Sequence, residues 1–380
     1  MGSSTNDPLI SLSRLYEGAQ RLYSAVPYRL FKGGYAFPPW HYYVEITRRC
    51  NLRCKMCQYI DWLEKASPQE QQEGELSTEE WRGVIDQMHR FSLVTFTGGE
   101  PFVRKDFLEL LAYAGARLRT HFISNTTMLN EERAQAVVDL APKRLGGRGC
   151  NFAGTSIEGP GEVHDAIRRL DHAYERSMTG VRTLCRLRDA AGKQCPKVHV
   201  TTVIQAENVA VLEQMPRLLK AEGVDVWNLV TETRMFDLPD LGEVDPKGFR
   251  KNQIAWPKIE REALAEALDN ALTAANDVGL DVRLPRMPRE QLLDYYDGRG
   301  GIALAQFECR NAWNTMIIGR TGDFCSCWLR LAGNVREHSL KELWNNAVMR
   351  EFRQACQKHL FVPCPGCCFI EHKTQRNGKR

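Results

Sequence analysis

Three cysteines stand close together as Cys50-Asn-Leu-Arg-Cys54-Lys-Met-Cys57, a C-x3-C-x2-C spacing. Three thiolates are one short of the four that saturate a [4Fe-4S] cluster, so one iron would stay open to another ligand. Structural zinc takes four protein ligands, and no fourth Cys or His follows nearby. Seven more cysteines form a second group: Cys309, Cys325, Cys327, Cys356, Cys364, Cys367 and Cys368. The remaining three, Cys150, Cys185 and Cys195, are scattered and read as buried packing, as is Cys356 on its helix. Two dense groups predict two metal sites, with zinc as the alternative for the second.

The elements around these residues alternate. Tyr42 to Thr47 reads as a strand that runs directly into Cys50. Further strands are expected at Leu93–Thr97, Thr120–Ser124, Phe152–Ile157, Lys197–Ile204 and Val224–Val230, with helices between them. Ser77 to Glu80 is a capping box that opens one of those helices. A long helix is expected from Pro257 to Val278, then a short strand from Leu280 to Leu284. Six strand–helix units imply parallel strands with right-handed crossovers. Six fall short of the eight of a closed barrel. The expected α/β fold is a partial (βα)6 TIM-like barrel with a small C-terminal cysteine-rich domain. Residues 1–40 form an N-terminal helical extension, 41–288 the barrel, 289–300 a linker, 301–371 the small domain and 372–380 a basic tail. In the first helix Leu12, Leu15, Ala19, Leu22 and Val26 make one stripe, expected to pack on the main domain. A membrane or partner surface is the less favoured reading of that helix.

Net charge is +4 over 380 residues, too little to argue for nucleic acid. No apolar run approaches the ~20 residues of a membrane span, and no secretory signal opens the chain. A cytoplasmic location is expected. In a reducing compartment, clustered cysteines bind metal or do chemistry more often than they pair.

The first cysteine group resembles the radical S-adenosylmethionine (SAM) superfamily signature. Thr97-Gly98-Gly99-Glu100-Pro101 is similar to that family's GGE motif, which implies that Gly98, Gly99 and Glu100 meet the amino group of SAM. Ser156-Ile-Glu158-Gly-Pro, with His164 and Arg168 following, is similar to the segment that contacts the SAM ribose and carboxylate. Asn125 lies where relatives place a polar strand end. Met56 stands where relatives often have an aromatic residue. The resemblance implies a [4Fe-4S] cluster on Cys50, Cys54 and Cys57. That cluster cleaves SAM to a 5′-deoxyadenosyl radical, which takes a hydrogen from a substrate carbon. It also implies an electron donor such as flavodoxin or ferredoxin.

Cys309 to Cys368 resembles the SPASM and twitch domains that follow many such barrels. The shorter, twitch-type arrangement implies one auxiliary [4Fe-4S] cluster on Cys309, Cys327, Cys364 and Cys367. Cys325 and Cys368 are either swapped ligands or hydrogen donors to a substrate radical. Glu232, with Arg234 and Asp237, follows the sixth strand and is a candidate general base. The expected substrate is a sugar, cyclitol or similar small molecule that is oxidised or epimerised. The alternative is a precursor peptide.

Overall fold

The computed structural model describes residues 8–233 and 256–373. Its main sheet contains seven parallel strands in sequence order: β1 (His41–Thr47), β2 (Leu93–Gly98), β3 (Arg119–Ser124), β4 (Gly149–Ser156), β5 (Lys197–Ile204), β6 (Val226–Thr231) and β7 (Asp281–Arg283). Each of the first five strands leads through a helical crossover to the next parallel strand, as the alternation predicts. The expected capping box at Ser77 is formed, and the helix Thr78–Asp86 buries Trp81, Val84 and Ile85. Along β1, Tyr42, Val44 and Ile46 enter the core beneath the helices. His41 and Tyr43 alternate to the other face and line the lumen.

The C-terminal segment does not sit apart. After β8 (Phe307–Cys309) comes β9 (Thr315–Ile318), which pairs in parallel with β1, His41 opposite Thr315 and Val44 opposite Ile318. Then β10 (Asp323–Cys325) and β11 (Leu331–Asn334) add antiparallel, so ten strands form one sheet. A separate pair joins β8 to β12 (Ile370–His372), with Ile370 opposite Cys309. The small domain therefore continues the barrel wall from its first strand.

Two expectations differ from the structure. Residues 289–300, read as a linker, carry the helix Arg289–Tyr295 with Leu292, Leu293 and Tyr295 buried. The Tyr295 hydroxyl donates to the Glu232 carbonyl (2.6 Å), and that of Tyr296 donates to the Ile204 carbonyl (2.8 Å). Two buried tyrosines with satisfied hydroxyls outweigh the turn-like composition of this stretch. The first helix, Pro8–Leu30, forms, but Ala19 and Leu22 of its aliphatic stripe are exposed, and Leu22 is 68% accessible. The side chains of Leu12 and Leu15 lie outside the described residues. Tyr23 packs on Phe37 and Trp40, and Tyr28 meets Trp313 edge-on. Aromatic side chains bury more area, so they set the docking face instead. Among the described residues no helix is long and apolar enough to cross a membrane.

Candidate active site

The cysteine loop leaves the carboxyl end of β1, where barrels of this kind place chemistry. Each of its thiols receives an N–H at close range. Leu52 N donates to Cys50 Sγ, Tyr59 N to Cys57 Sγ and Arg168 Nη1 to Cys54 Sγ, all at 3.4 Å. Asn125 Nδ2 is also directed at Cys50 Sγ (3.9 Å). Burial pushes the Cys50 thiol up to about 12 and raises that of Cys57. N–H groups aimed at sulfur suit bound thiolates, and only a cationic centre would hold such buried thiols deprotonated. Among the described residues no three His, Cys, Asp or Glu side chains converge tightly enough for a single metal ion. A four-iron cluster is wider than an ion and spaces its ligands further apart. The donor set therefore fits the cluster.

Glycines 98 and 99 serve that loop directly. Gly98 has φ +134°, and a Cβ there would lie 1.9 Å from the Thr47 carbonyl oxygen. A Cβ on Gly99 would lie 2.3 Å from the Arg49 carbonyl oxygen. The close approach lets Gly99 N donate to Thr47 O and Glu100 N to Arg49 O, both at 2.8 Å. The end of β2 thus clamps the start of the cysteine loop. Gly98→Ala combines a clash with a left-handed backbone. We expect a loss of about 3 kcal/mol or more in stability. Iron bound at the first site should fall with it, as read by a melt and by iron analysis of the reconstituted protein.

Glu100 is fully buried and well partnered. Its carboxylate accepts from Phe102 N (3.0 Å), Ser124 Oγ (2.9 Å) and Asn125 N (2.7 Å). Burial nonetheless raises its pKa to about 6. These bonds tie β2 to the end of β3, a positioning role that the sequence motif did not reveal. Thr126 is held at φ +58° by bonds to Thr155 Oγ1 (3.0 Å) and Ser177 O (3.1 Å). Ser156 ends β4 with no side-chain bond among the described residues, which leaves its hydroxyl available.

Arg168 reaches back from the helix Glu162–Arg168 and ion-pairs with Glu158, whose side chain is fully buried. Glu158 also accepts from Val203 N (2.9 Å). Arg168 therefore bridges Cys54 to the β4–β5 region, while its Nε is buried without a partner. Sequence reasoning also passed over Glu45 and Tyr59. The Tyr59 hydroxyl bonds to Glu45 beneath the cysteine loop, and Arg48 lies 5.1 Å over the Tyr59 ring. A carboxylate two residues before the strand end was the available signal.

The second group also converges. Cys309 lies within electrostatic range of Cys327 and Cys368, Cys364 of Cys309 and Cys327, and Cys367 of Cys309 and Cys364. The β8–β12 pairing brings them together. Cys356, buried on the helix Ala347–Lys358, is in range of Cys309, Cys327 and Cys364, closer to this site than a purely structural reading implied. Cys150, Cys185 and Cys195 are buried in the core, as expected. Cys325 is buried beside Glu45 and Arg48. Cys368 is exposed and faces Tyr43 and Arg286 of the lumen. Glu232 is buried at the end of β6 with its main chain bound by Tyr295 and Tyr296. Arg234 and Asp237 lie outside the described residues.

The segment from Cys364 to His372 runs down the open side of the barrel. At one end Thr231 Oγ1 of β6 donates to Gly366 O (2.5 Å). In the middle Phe369 meets Tyr43 of β1 edge-on. At the other end His372 N donates to Arg286 O (3.1 Å). The cysteine-rich segment is thus a wall of the lumen.

Comparison with known proteins agrees with this construction. Residues 44–221 match the radical SAM superfamily, and residues 309–368 match the SPASM iron–sulfur cluster-binding domain. The chain belongs to the radical SAM superfamily, with a SAM-binding [4Fe-4S] cluster and a C-terminal auxiliary-cluster domain. It is 31% identical over 336 residues to mycofactocin maturase MftC of Mycobacterium ulcerans, covering 85% of this chain and 78% of that protein. It is 27% identical over 326 residues to an AdoMet-dependent heme synthase of Oleidesulfovibrio alaskensis, covering 81% and 75%. In fold it resembles Streptococcus suis SuiB bound to S-adenosylmethionine, with TM-score 0.60 at 14% identity over 93% of this chain and 75% of that one.

Proposed function

We propose that this enzyme oxidises or epimerises a carbon of a small molecule held in the barrel lumen, between its two cluster sites. The observation that carries the reading is the cysteine-rich wall. Because Gly366 and Phe369 touch β6 and β1, a molecule in the lumen lies beside the auxiliary site and beneath the first. When bound, the first cluster and SAM supply a hydrogen-abstracting radical. Cys50, Cys54 and Cys57 would hold that cluster, and Gly98, Gly99, Glu100, Asn125, Ser156 and Arg168 would shape the SAM site. Cys309, Cys327, Cys364 and Cys367 would hold one auxiliary cluster, which can accept the second electron of a net oxidation. Glu232, buried at the end of β6, is the candidate general base. Cys368, which is exposed, is a better candidate hydrogen donor for epimerisation than the buried Cys325.

The small-molecule class includes the sugar or cyclitol that the sequence led us to expect. The name of the Oleidesulfovibrio relative adds tetrapyrroles to it. The likeness to MftC favours a second reading, maturation of a precursor peptide. Iron analysis of anaerobically reconstituted protein tests the ligand count. About eight irons per chain are expected from two four-iron clusters. About twelve would overturn the single auxiliary cluster and favour the peptide reading.

A further inference from the structure

A cavity of about 600 Å³ occupies the end of the lumen opposite the cysteine loop. That size is typical of a small-molecule site. It lies where the strands begin. His41 opens β1, Leu93 opens β2 and Arg119 opens β3, and all three line it. Its walls are aromatic and imidazole rings, among them Tyr43, Phe152, His199 and Phe369.

Its charge is one-sided. Arg21, Arg119, Arg283, Arg286 and Arg310 line the cavity, against Glu371 as the one lining carboxylate among the described residues. Arg286 Nη1 and Arg310 Nη2 share Glu371 at 2.6 and 2.7 Å, and Arg21 stands 3.9 Å from it. Glu308 offsets Arg310 from behind at 3.3 Å. The guanidinium of Arg283, beside His199, has no ion pair or hydrogen bond among the described residues. The three lining histidines add nothing to that charge, because burial keeps them neutral near pH 7. Cations gathered around this half-open cavity repel one another, and a bound anion would relieve that repulsion.

We infer that this chamber binds the anionic end of the substrate, through carboxylate or phosphate groups held by Arg283 and Arg286. Guanidinium forks match both groups bidentately. The inference rests on the small-molecule reading above and narrows it. His199 and Val203 on β5 are four residues apart, so the chamber lies roughly 13 Å below the SAM end at about 3.3 Å per residue. The substrate therefore carries its charge roughly 10 Å or more from the reacting carbon. A single uncharged sugar ring meets neither condition.

The test uses the reconstituted holoenzyme and calorimetric titration with three probes: citrate as a tricarboxylate, pyrophosphate as a phosphate anion, and neutral myo-inositol. Saturable one-to-one binding of citrate or pyrophosphate in the sub-millimolar range is expected, with none for inositol. The preferred anion identifies the carboxylate or phosphate source. Arg283→Met and, separately, Arg286→Met should weaken binding at least about tenfold, with Arg283→Lys intermediate. Arg186→Met, on the outer surface with Glu131, serves as the control that leaves binding unchanged. Circular-dichroism melts confirm that each variant is folded. Absence of saturable anion binding, or binding insensitive to both arginines, overturns the inference. Failure of the underlying reading looks different: the wild type would make no 5′-deoxyadenosine, or would turn over only a peptide.

Discussion

Changing Cys50, Cys54 and Cys57 together to Ala will lower reductive SAM cleavage at least about 1,000-fold, to background, because the protein side chains cannot replace the cluster's electron. The loop sits at the carboxyl end of β1 and is clamped through main-chain bonds from Gly99 and Glu100. Those bonds do not involve the thiols, so the barrel should remain folded. Of about eight irons, about four should stay with the auxiliary cysteines. The readouts are 5′-deoxyadenosine by chromatography under dithionite and iron per chain. A Cys150→Ala variant is the contrast. Cys150 is buried in the core, so its loss should cost stability without abolishing cleavage. If the triple variant still forms 5′-deoxyadenosine at a comparable rate, the assignment of the catalytic cluster is wrong.

The next largest effect is expected at Arg168. Replacing it with Met leaves the Glu158 carboxylate buried without its cation, which typically costs about 3–5 kcal/mol. It also removes the N–H directed at Cys54 Sγ. Hydrogen bonds to cluster sulfurs stabilise the more negative, reduced state, so losing one should shift the cluster potential downward. The two consequences are separable. In the double variant Arg168→Met/Glu158→Gln, the amide oxygen can still accept from Val203 N, and no buried charge is orphaned. Most of the lost stability should return in a thermal melt. The downward shift should persist in an anaerobic redox titration followed by electron paramagnetic resonance. Full recovery of the potential in the double variant would show that Arg168 only balances charge.

Much of this is legible in the amino-acid order. C-x3-C-x2-C has meaning through spacing alone, since three thiolates on one loop leave one iron open. The strand–helix alternation is a local pattern too, and it correctly implies an open parallel barrel. Gly98 and Gly99 are recognisable by motif, but their reason is not. In three dimensions they make room for the Thr47 and Arg49 carbonyls. Glu100 reads as a ligand for an amine, while its own partners are Phe102, Ser124 and Asn125. No sequence pattern pairs residue 100 with residue 125.

The first helix shows the limit of periodicity. Its aliphatic stripe is real, yet Tyr23 and Tyr28 decide which face docks, because Phe37, Trp40 and Trp313 wait on the other side. Residues 289–300 show the same limit. They read as a linker, but two tyrosine hydroxyls find carbonyl partners at the ends of β5 and β6.

The chemistry of this protein is written locally: two cysteine groups, their spacing, and the parallel strands that carry the first of them. Those features depend on neighbours a few residues apart, where bond geometry leaves few choices. Long-range packing settled how the groups face each other. Parallel pairing of β9 with β1, and the descent of residues 364–372 along the barrel's open side, turn a separate-looking domain into a lumen wall. The same packing gathers Arg21, Arg119, Arg283, Arg286 and Arg310 around one cavity. They come from across the chain, and only the folded arrangement brings their charges within reach of a single ligand.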